Sequence, residues 1–313
     1  MTISVIIPIY NAASFLEKAV KSCLQFSEVK EILLVEDGST DNSMEVCKKL
    51  EGQFPEIKIL THPNNENRGV SASRNLGMDE ASQEFIAFLD ADDYWLPNRF
   101  DAERELFKNE EIEGVFGAIG VEFVTEAGKK KYLEVINDTG LTTVYYAAEG
   151  KDVFLGLIQI HPNFGTFFSL IATTLRKSSL KRENIRLNQN LKMHEDKDFI
   201  IKLAFHLHLK SGSIDDAIAI RTGHENNTFS SVKNFSKDYF RNKEKLFQSL
   251  YKWAKFEKEM PKEITELFKL KGLCAKIASQ PGILKYISYA ALSATTPKLL
   301  KTRYRYFALK NRL

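Results

Sequence analysis

A chain of 313 residues, 43% hydrophobic and 27% charged, has enough apolar material for one large domain or two modest ones. A net charge of +3 gives no reason to expect nucleic-acid binding, and the scattered Cys23, Cys47 and Cys274 exclude a disulfide framework and a CxxC zinc site. No basic leader precedes the apolar start, and no apolar run reaches membrane-spanning length, so the expectation is a cytoplasmic protein.

In chain order, residues 3–9 predict a first strand, after which Phe15, Leu16, Ala19, Val20 and Leu24 recur at helical spacing. A strand over 31–36, a helix over 42–50, a strand over 57–61, a helix over 70–78 and a strand over 85–89 follow. This alternation predicts an α/β fold with a mainly parallel sheet, covered on both faces by crossover helices. Residues 115–124 read as one strand, the stretch around Gly128 to Lys131 as a polar hairpin, and 170–175 as β-rich. Phe199, Ile200, Leu203 and Ala204 predict a helix that starts near Asp196. Helices over 239–256 and 264–278, and another from Ile283, complete the chain. Between Pro281 and Leu313 there are seven Lys or Arg residues and no acid, interleaved with Tyr286, Tyr289, Tyr304, Tyr306 and Phe307. That mixture suits an anionic membrane surface.

In open parallel sheets, ligands collect at the carboxyl ends of the strands. Polar clusters stand there: Pro8-Ile9-Tyr10-Asn11, Glu36-Asp37-Gly38-Ser39, and Asp90-Ala91-Asp92-Asp93 after the run 85–89. Three carboxylates in four residues repel one another, which points to a cation held between them. Oxygen ligands favour Mg²⁺ or Mn²⁺, shared with a phosphate. An Asp turn that satisfies its own backbone is the alternative. Trp95 stands where a calcium loop of the EF-hand type would need glycine, and the glycine signatures of dinucleotide and P-loop sites are missing. Residues 67–75 open a helix whose amino end favours an anion, with Arg74 one turn in, able to reach a nucleotide or to brace Asp90 and Asp92. Ser39 or Asp41 suits the cap of the helix after the second strand.

The strings SVIIPIYN, LLVEDGSTDNS, NRGVSASRNLG and FIAFLDADDYWLP, in this order, resemble family 2 glycosyltransferases of GT-A fold, of the bacterial surface-polysaccharide type. The resemblance covers roughly the first third of the chain, with a weaker match at Met193 to Phe199. It implies a GT-A domain over 1–230, with 1–112 the nucleotide-sugar half and 113–230 the acceptor half, and a helical basic region over 231–313. In such a domain Pro8 and Tyr10 would wall the base or ribose, Asp37 would grip the base edge, Asp90 would contact the ribose and Asp92 would bind the metal. Asp93 is a second candidate ligand. Glu36 stands where the family has Asp, so no role passes to it. Asp196 matches the family's base, with a helix cap as the alternative. The family's Arg-x-His has an extra residue here between Arg221 and His224, which leaves His224 a candidate metal ligand.

The implied activity is inverting transfer of a hexosyl or N-acetylhexosaminyl group from a nucleotide-diphosphate sugar, UDP-sugar favoured, to a glycan or lipid-linked acceptor. Mn²⁺ or Mg²⁺ would assist, on the inner face of the plasma membrane. A nucleotidyltransferase would carry a Gly-rich basic loop where Pro8 to Asn11 stands. A non-catalytic sugar- or partner-binding module of the same fold is the other alternative.

Overall fold

The computed structural model describes residues 1–135, 140–224 and 232–310. β1 (Ile3–Ile9), α1 (Leu16–Leu24), β2 (Val29–Glu36), α2 (Ser43–Gln53), β3 (Ile57–Thr61), α3 (Val70–Glu80) and β4 (Phe85–Phe88) alternate as the periodicity predicts. Next come β5 (Tyr94–Trp95), α4 (Asp101–Leu106), β6 (Gly114–Phe116), β7 (Ala118–Phe123), α5 (Glu126–Val135) and α6 (Lys151–Leu157). β8 (Thr173–Arg176), α7 (Lys177–Arg182), α8 (Glu195–His206), β9 (Leu209–Ser211) and β10 (Ala217–Gly223) precede four helices, α9 (Lys237–Ala254), α10 (Lys262–Ala278), α11 (Gly282–Thr295) and α12 (Thr302–Lys310).

A seven-stranded sheet has the order β3-β2-β1-β4-β8-β6-β9, and a three-stranded sheet the order β5-β10-β7. β1 is parallel to β2 and β4, and β2 to β3, whereas β8 is antiparallel to both β4 and β6. Ile3, Val5, Ile6, Ile7 and Ile9 are all fully covered, as a strand with helices on both faces must be. Gly77 lets α3 lie against β1, because a Cβ there would stand 2.4 Å from Ile6 Cγ2.

Three sequence expectations are corrected. The run 115–124 is two strands in different sheets, broken at Gly117, whose N–H donates to Ala172 O and where a Cβ would meet Ile218 at 2.5 Å. The segment around Gly128 to Lys131 is helical, part of α5, and Gly128 packs so near Gly223 O that a Cβ would stand 2.7 Å from it. Of the β-rich 170–175, Leu170–Ala172 form a 3₁₀ turn and β8 starts at Thr173.

The chain divides into two compact units. One holds both sheets. The second holds α9 to α12 with residues 130–135 and Asn190–Asp198, around a core that includes Phe240, Leu270, Cys274, Ile277, Leu299 and Phe307. α11 leaves Ile283, Leu284, Tyr286 and Ile287 half or more exposed, at 74%, 50%, 59% and 56%. No helix among the described residues is long and apolar enough to cross a membrane.

The core of the first unit contains a fully buried ion pair. Arg99 donates Nη1 to Glu103 Oε1 and Nη2 to Thr174 Oγ1 at 3.1 Å, and its guanidinium lies 4.9 Å from the Trp95 ring and 4.7 Å from Phe100. Burial raises the Glu103 carboxyl and lowers Arg99, and their mutual attraction opposes both. Arg99→Met is expected to cost about 3–5 kcal/mol in urea unfolding, because it strands the Glu103 charge. Arg99→Met with Glu103→Leu is expected to recover most of the loss. Equal losses in the single and double variants would contradict a paired core.

Candidate active site

The loops after β1 and β2 are sewn together. Tyr10, 52% exposed, directly follows β1, and half-buried Pro8 stands opposite Val35 in the sheet. Asn11, held at φ 52°, donates its backbone N–H to Ser39 Oγ at 3.0 Å and accepts the Thr40 N–H on Oδ1 at 2.8 Å. Ala12 N–H donates to Ser43 Oγ, and Ala13 N–H to Asp41 Oδ2. Asp41 also accepts the Ser43 N–H at 2.9 Å, serving the first turn of α2 from one residue ahead of the N-cap position, which Asn42 holds. Buried Glu36 accepts the N–H groups of Gly38 at 3.1 Å and Ser39 at 2.6 Å. It staples the turn where Gly38 takes φ 69°, and any Cβ there would stand 2.6 Å from Asn65 O.

Asp37, only 3% exposed, accepts the Arg68 N–H on Oδ1 at 2.7 Å and the Gly69 N–H on Oδ2 at 2.8 Å. Part of the anion attraction at the amino end of α3 is thus met by Asp37 itself. His62 Nε2 lies 3.1 Å from Ser73 Oγ and 3.5 Å from Asp37 Oδ1. Asn75 exchanges two bonds with the backbone of Leu187, at 2.9 and 3.0 Å, and so anchors α3 to a segment over a hundred residues away.

The turn after β4 closes through Asp93 N–H to Asp90 O at 3.0 Å, and its carboxylates go three ways. Asp90 Oδ1 accepts from Arg74 Nη2 at 2.5 Å, with Arg74 almost wholly buried. Asp93 is buried and accepts the Thr222 N–H at 2.8 Å. Burial, then Asp92 and Asp90, hold its carboxyl well above the usual range, with Arg221 opposing. Asp92 Oδ2 lies 3.0 Å from His224 Nε2, whose ring stacks on Phe15 with centroids 4.8 Å apart. Register explains how residues so distant in sequence meet. Ala219 and Ile220 of β10 pair antiparallel with Trp95 and Tyr94 of β5, which brings the end of β10 beside the Asp turn.

Two donors at about 2.1 Å from one octahedral ion, at right angles, stand about 3.0 Å apart. The 3.0 Å between Asp92 Oδ2 and His224 Nε2 is that of a hydrogen bond and is also compatible with two ligands of one divalent ion, and no group of three or more metal-binding side chains exists among the described residues. Glu225 to Asn227 of the His224 motif lie outside the described residues.

Asp196 belongs with the second unit, as the second residue of α8, and its Oδ1 accepts the N–H of Lys197 at 2.7 Å. His194, at φ 65°, stands just before that helix. Its imidazole is pushed down to about 4 by burial and then by Lys197 and Lys243. Pro8, Tyr10, Asp37, Arg74, Asp90, Asp92, Asp93 and His224 all belong to the first unit. Sequence reasoning named Asn11 only as part of its strand-end cluster and gave no part to His62 or Asn75. A polar residue at a strand end or on an inner helix face is the only trace they leave.

Residues 4–178 match the family model described as glycosyl transferase family 2. The chain belongs to that family. An uncharacterized glycosyltransferase of Nostoc sp. is 42% identical over 117 residues, 37% of this chain and 35% of the relative. A cholesterol galactosyltransferase of Borreliella burgdorferi is 29% identical over 207 residues, 64% of this chain and 54% of the relative. The chain spans about a third of the length of most of the curated relatives it matches. Among solved structures, S. aureus TarS 1-349 in complex with UDP-GlcNAc superposes with TM-score 0.62 at 18% identity, over 98% of this chain and 90% of that one. The mannosyltransferase PcManGT from Pyrobaculum calidifontis, in complex with GDP-Man and Mn²⁺, gives 0.54 at 14% identity, over 98% and 82%. These likenesses establish a GT-A-like fold with a helical C-terminal region for this family 2 member.

Glu36→Ala frees two backbone N–H groups inside the turn that carries Asp37. A loss of about 1–3 kcal/mol is expected in urea unfolding. An unchanged midpoint would mean that the turn is held without Glu36.

Proposed function

We propose that the chain transfers a hexosyl or N-acetylhexosaminyl group from a UDP-sugar to an acceptor hydroxyl with inversion, in the building of a bacterial surface glycan. The observation that carries this is the Asp92–His224 contact beside the Arg74–Asp90 pair, at the carboxyl edge of a sheet in a family 2 chain. Complexes of structural neighbours with UDP-GlcNAc, UDP and GDP-Man support a nucleotide-sugar donor. Residues 1–112 would form the donor half and 113–230 the acceptor half, followed by a helical extension.

The exposed ring of Tyr10 offers a flat wall to the base, and Pro8 stiffens the strand behind it. Asp37 orders the entry to α3 and would offer its remaining lone pairs to the base edge. Asp90, held still by Arg74, would accept from the ribose hydroxyls. Asp92 and His224 would hold Mn²⁺ or Mg²⁺, which when bound neutralises charge on the leaving diphosphate. Asp93 is given a supporting part in place of ligation, because its Oδ1 already ties the turn to Thr222. Asp196 would take the proton of the acceptor hydroxyl as that oxygen attacks the anomeric carbon from the face opposite the leaving group. Inversion follows from that single displacement.

Asp196→Asn is the test of the base. It is expected to lower kcat by at least about a hundredfold and to leave donor binding intact. Near wild-type turnover would remove Asp196 from that role.

A lipid-linked acceptor and a peripheral position on the inner face of the plasma membrane are part of the same proposal. A relative from Borreliella burgdorferi is named for cholesterol as acceptor, and one from Bacillus subtilis for minor teichoic acid biosynthesis. Ile283, Leu284, Tyr286 and Ile287 project from α11, near Lys285 and ahead of exposed Lys298 and Lys301. Apolar groups ringed by cations suit an anionic bilayer surface. Flotation with phosphatidylglycerol vesicles is expected to carry the wild-type chain and to leave Ile283→Glu/Ile287→Glu behind. Equal flotation of both would end the idea.

A further inference from the structure

His62 directly follows β3 and opens the loop over residues 62–69 that leads into α3. Asn64 and Asn65 both take left-handed backbone in it, at φ 60° and 53°. The loop lies directly on the turn that carries Asp37, since a Cβ at Gly38 would stand 2.6 Å from Asn65 O and 2.9 Å from Asn67 N. Its far end holds the Asp37 carboxylate through the Arg68 and Gly69 N–H groups. Backbone of this kind persists only where its surroundings fix it, so those two donors stay in place only if the ends of the loop are tied.

His62 and Ser73 make the tie. His62 is 6% exposed, and Ser73, in the first turn of α3, is fully buried. Ser73 Oγ donates to Gly69 O at 3.3 Å, and the Ser73 N–H donates to the same oxygen at 3.1 Å. With its proton given to Gly69, the hydroxyl accepts at its 3.1 Å contact with His62 Nε2, so Nε2 carries the ring proton. The second neighbour of Nε2 demands the same tautomer. Asp37 Oδ1 lies 3.5 Å away, where a ring lone pair would be repelled by the carboxylate and an N–H is attracted to it. His62 thus joins the start of the loop to its end and sets an N–H dipole against Asp37. Two N–H groups then stand against Oδ1 and one on Oδ2, so most of what Asp37 can still accept is at Oδ2. Asp37, His62, Arg68, Gly69 and Ser73 all belong to the first unit.

We propose that His62 is a positioning residue that fixes Asp37 to accept a ring N–H of the donor base, and so selects uridine over cytidine nucleotides. This part for His62 rests on the transferase reading, in which Asp37 meets the base edge. Uracil presents N3–H to such a carboxylate. Cytosine presents a lone pair at the same ring position, which a fixed anion repels and a loosely held one can turn away from. Holding the carboxylate still is what separates the two bases.

The test is calorimetric titration of UDP and of CDP into the full chain in Mn²⁺, read as the ratio of the two Kd values. Both ligands carry the same ribose and diphosphate, so the metal seat cancels in the ratio, and so does any fraction of unfolded protein. The wild type is expected to favour UDP by at least about tenfold. His62→Leu is expected to lose most of that preference. His62→Asn, whose amide reaches only the place of Nδ1, should lose it too, which keeps the test open if leucine does not fold there. His62→Gln, whose amide nitrogen reaches the place of Nε2 and donates, should recover it. Asp37→Asn is the reference for loss of the base contact. A wild type without preference, or a preference that survives Asp37→Asn, overturns the base-edge reading and the part of His62 with it. A preference that Asp37→Asn removes but His62→Leu and His62→Asn keep overturns the part of His62 alone, as does an equal loss in His62→Gln.

Discussion

Asp90, Asp92 and Asp93 crowd three negative charges into one turn, and the first unit is arranged around keeping them there. Each charge is offset in a different way. A buried guanidinium from α3 takes Asp90, a backbone N–H from β10 and burial itself take Asp93, and an imidazole stands against Asp92. The first two arrangements are a buried ion pair and a strand contact, and the last is a side-chain contact between Asp92 and an imidazole. On the proposed reading, Asp92 is where a cation would enter.

Much else follows from this division. α3 must approach β1 closely enough to deliver Arg74, which Gly77 permits and Asn75 secures through Leu187. β10 must run beside β5 in a register that carries Thr222 and His224 to the turn. Phe15 supports the His224 ring from the loop into α1. The neighbouring turns are stiffened from within, by Glu36 beneath Gly38 and Ser39 and by Asn11 across to Thr40. A donor meeting this edge would find a surface ordered in advance, which reduces the entropy lost on binding.

The parallel half of the sheet was legible because β1 to β4 are short β-branched runs separated by helical spacing, and the Asp cluster and Asp37 stood where strand ends had to be. What the sequence concealed was long-range register. Nothing local in 115–124 announces that Gly117 divides two sheets, since only the packing of Ile218 and Ser213 against it forces the break. The lysine-rich stretch before Val135 reads as a polar turn until its helical bonds are seen. His224 could be named a candidate ligand only through the family's Arg-x-His and not from its own surroundings, for the β5–β10 pairing that brings it to Asp92 spans more than a hundred residues.

In the proposed function, Asp92 is the point where a metal would join the protein to a diphosphate. Calorimetric titration of UDP into the full chain, in Mn²⁺ and in EDTA, for the wild type and for Asp92→Ala, addresses it most directly. The wild type is predicted to bind UDP at least about tenfold more tightly with Mn²⁺, a gain of about 1.4 kcal/mol that Asp92→Ala abolishes. Equal affinity with and without the ion, or a gain that survives Asp92→Ala in a folded protein, would contradict it.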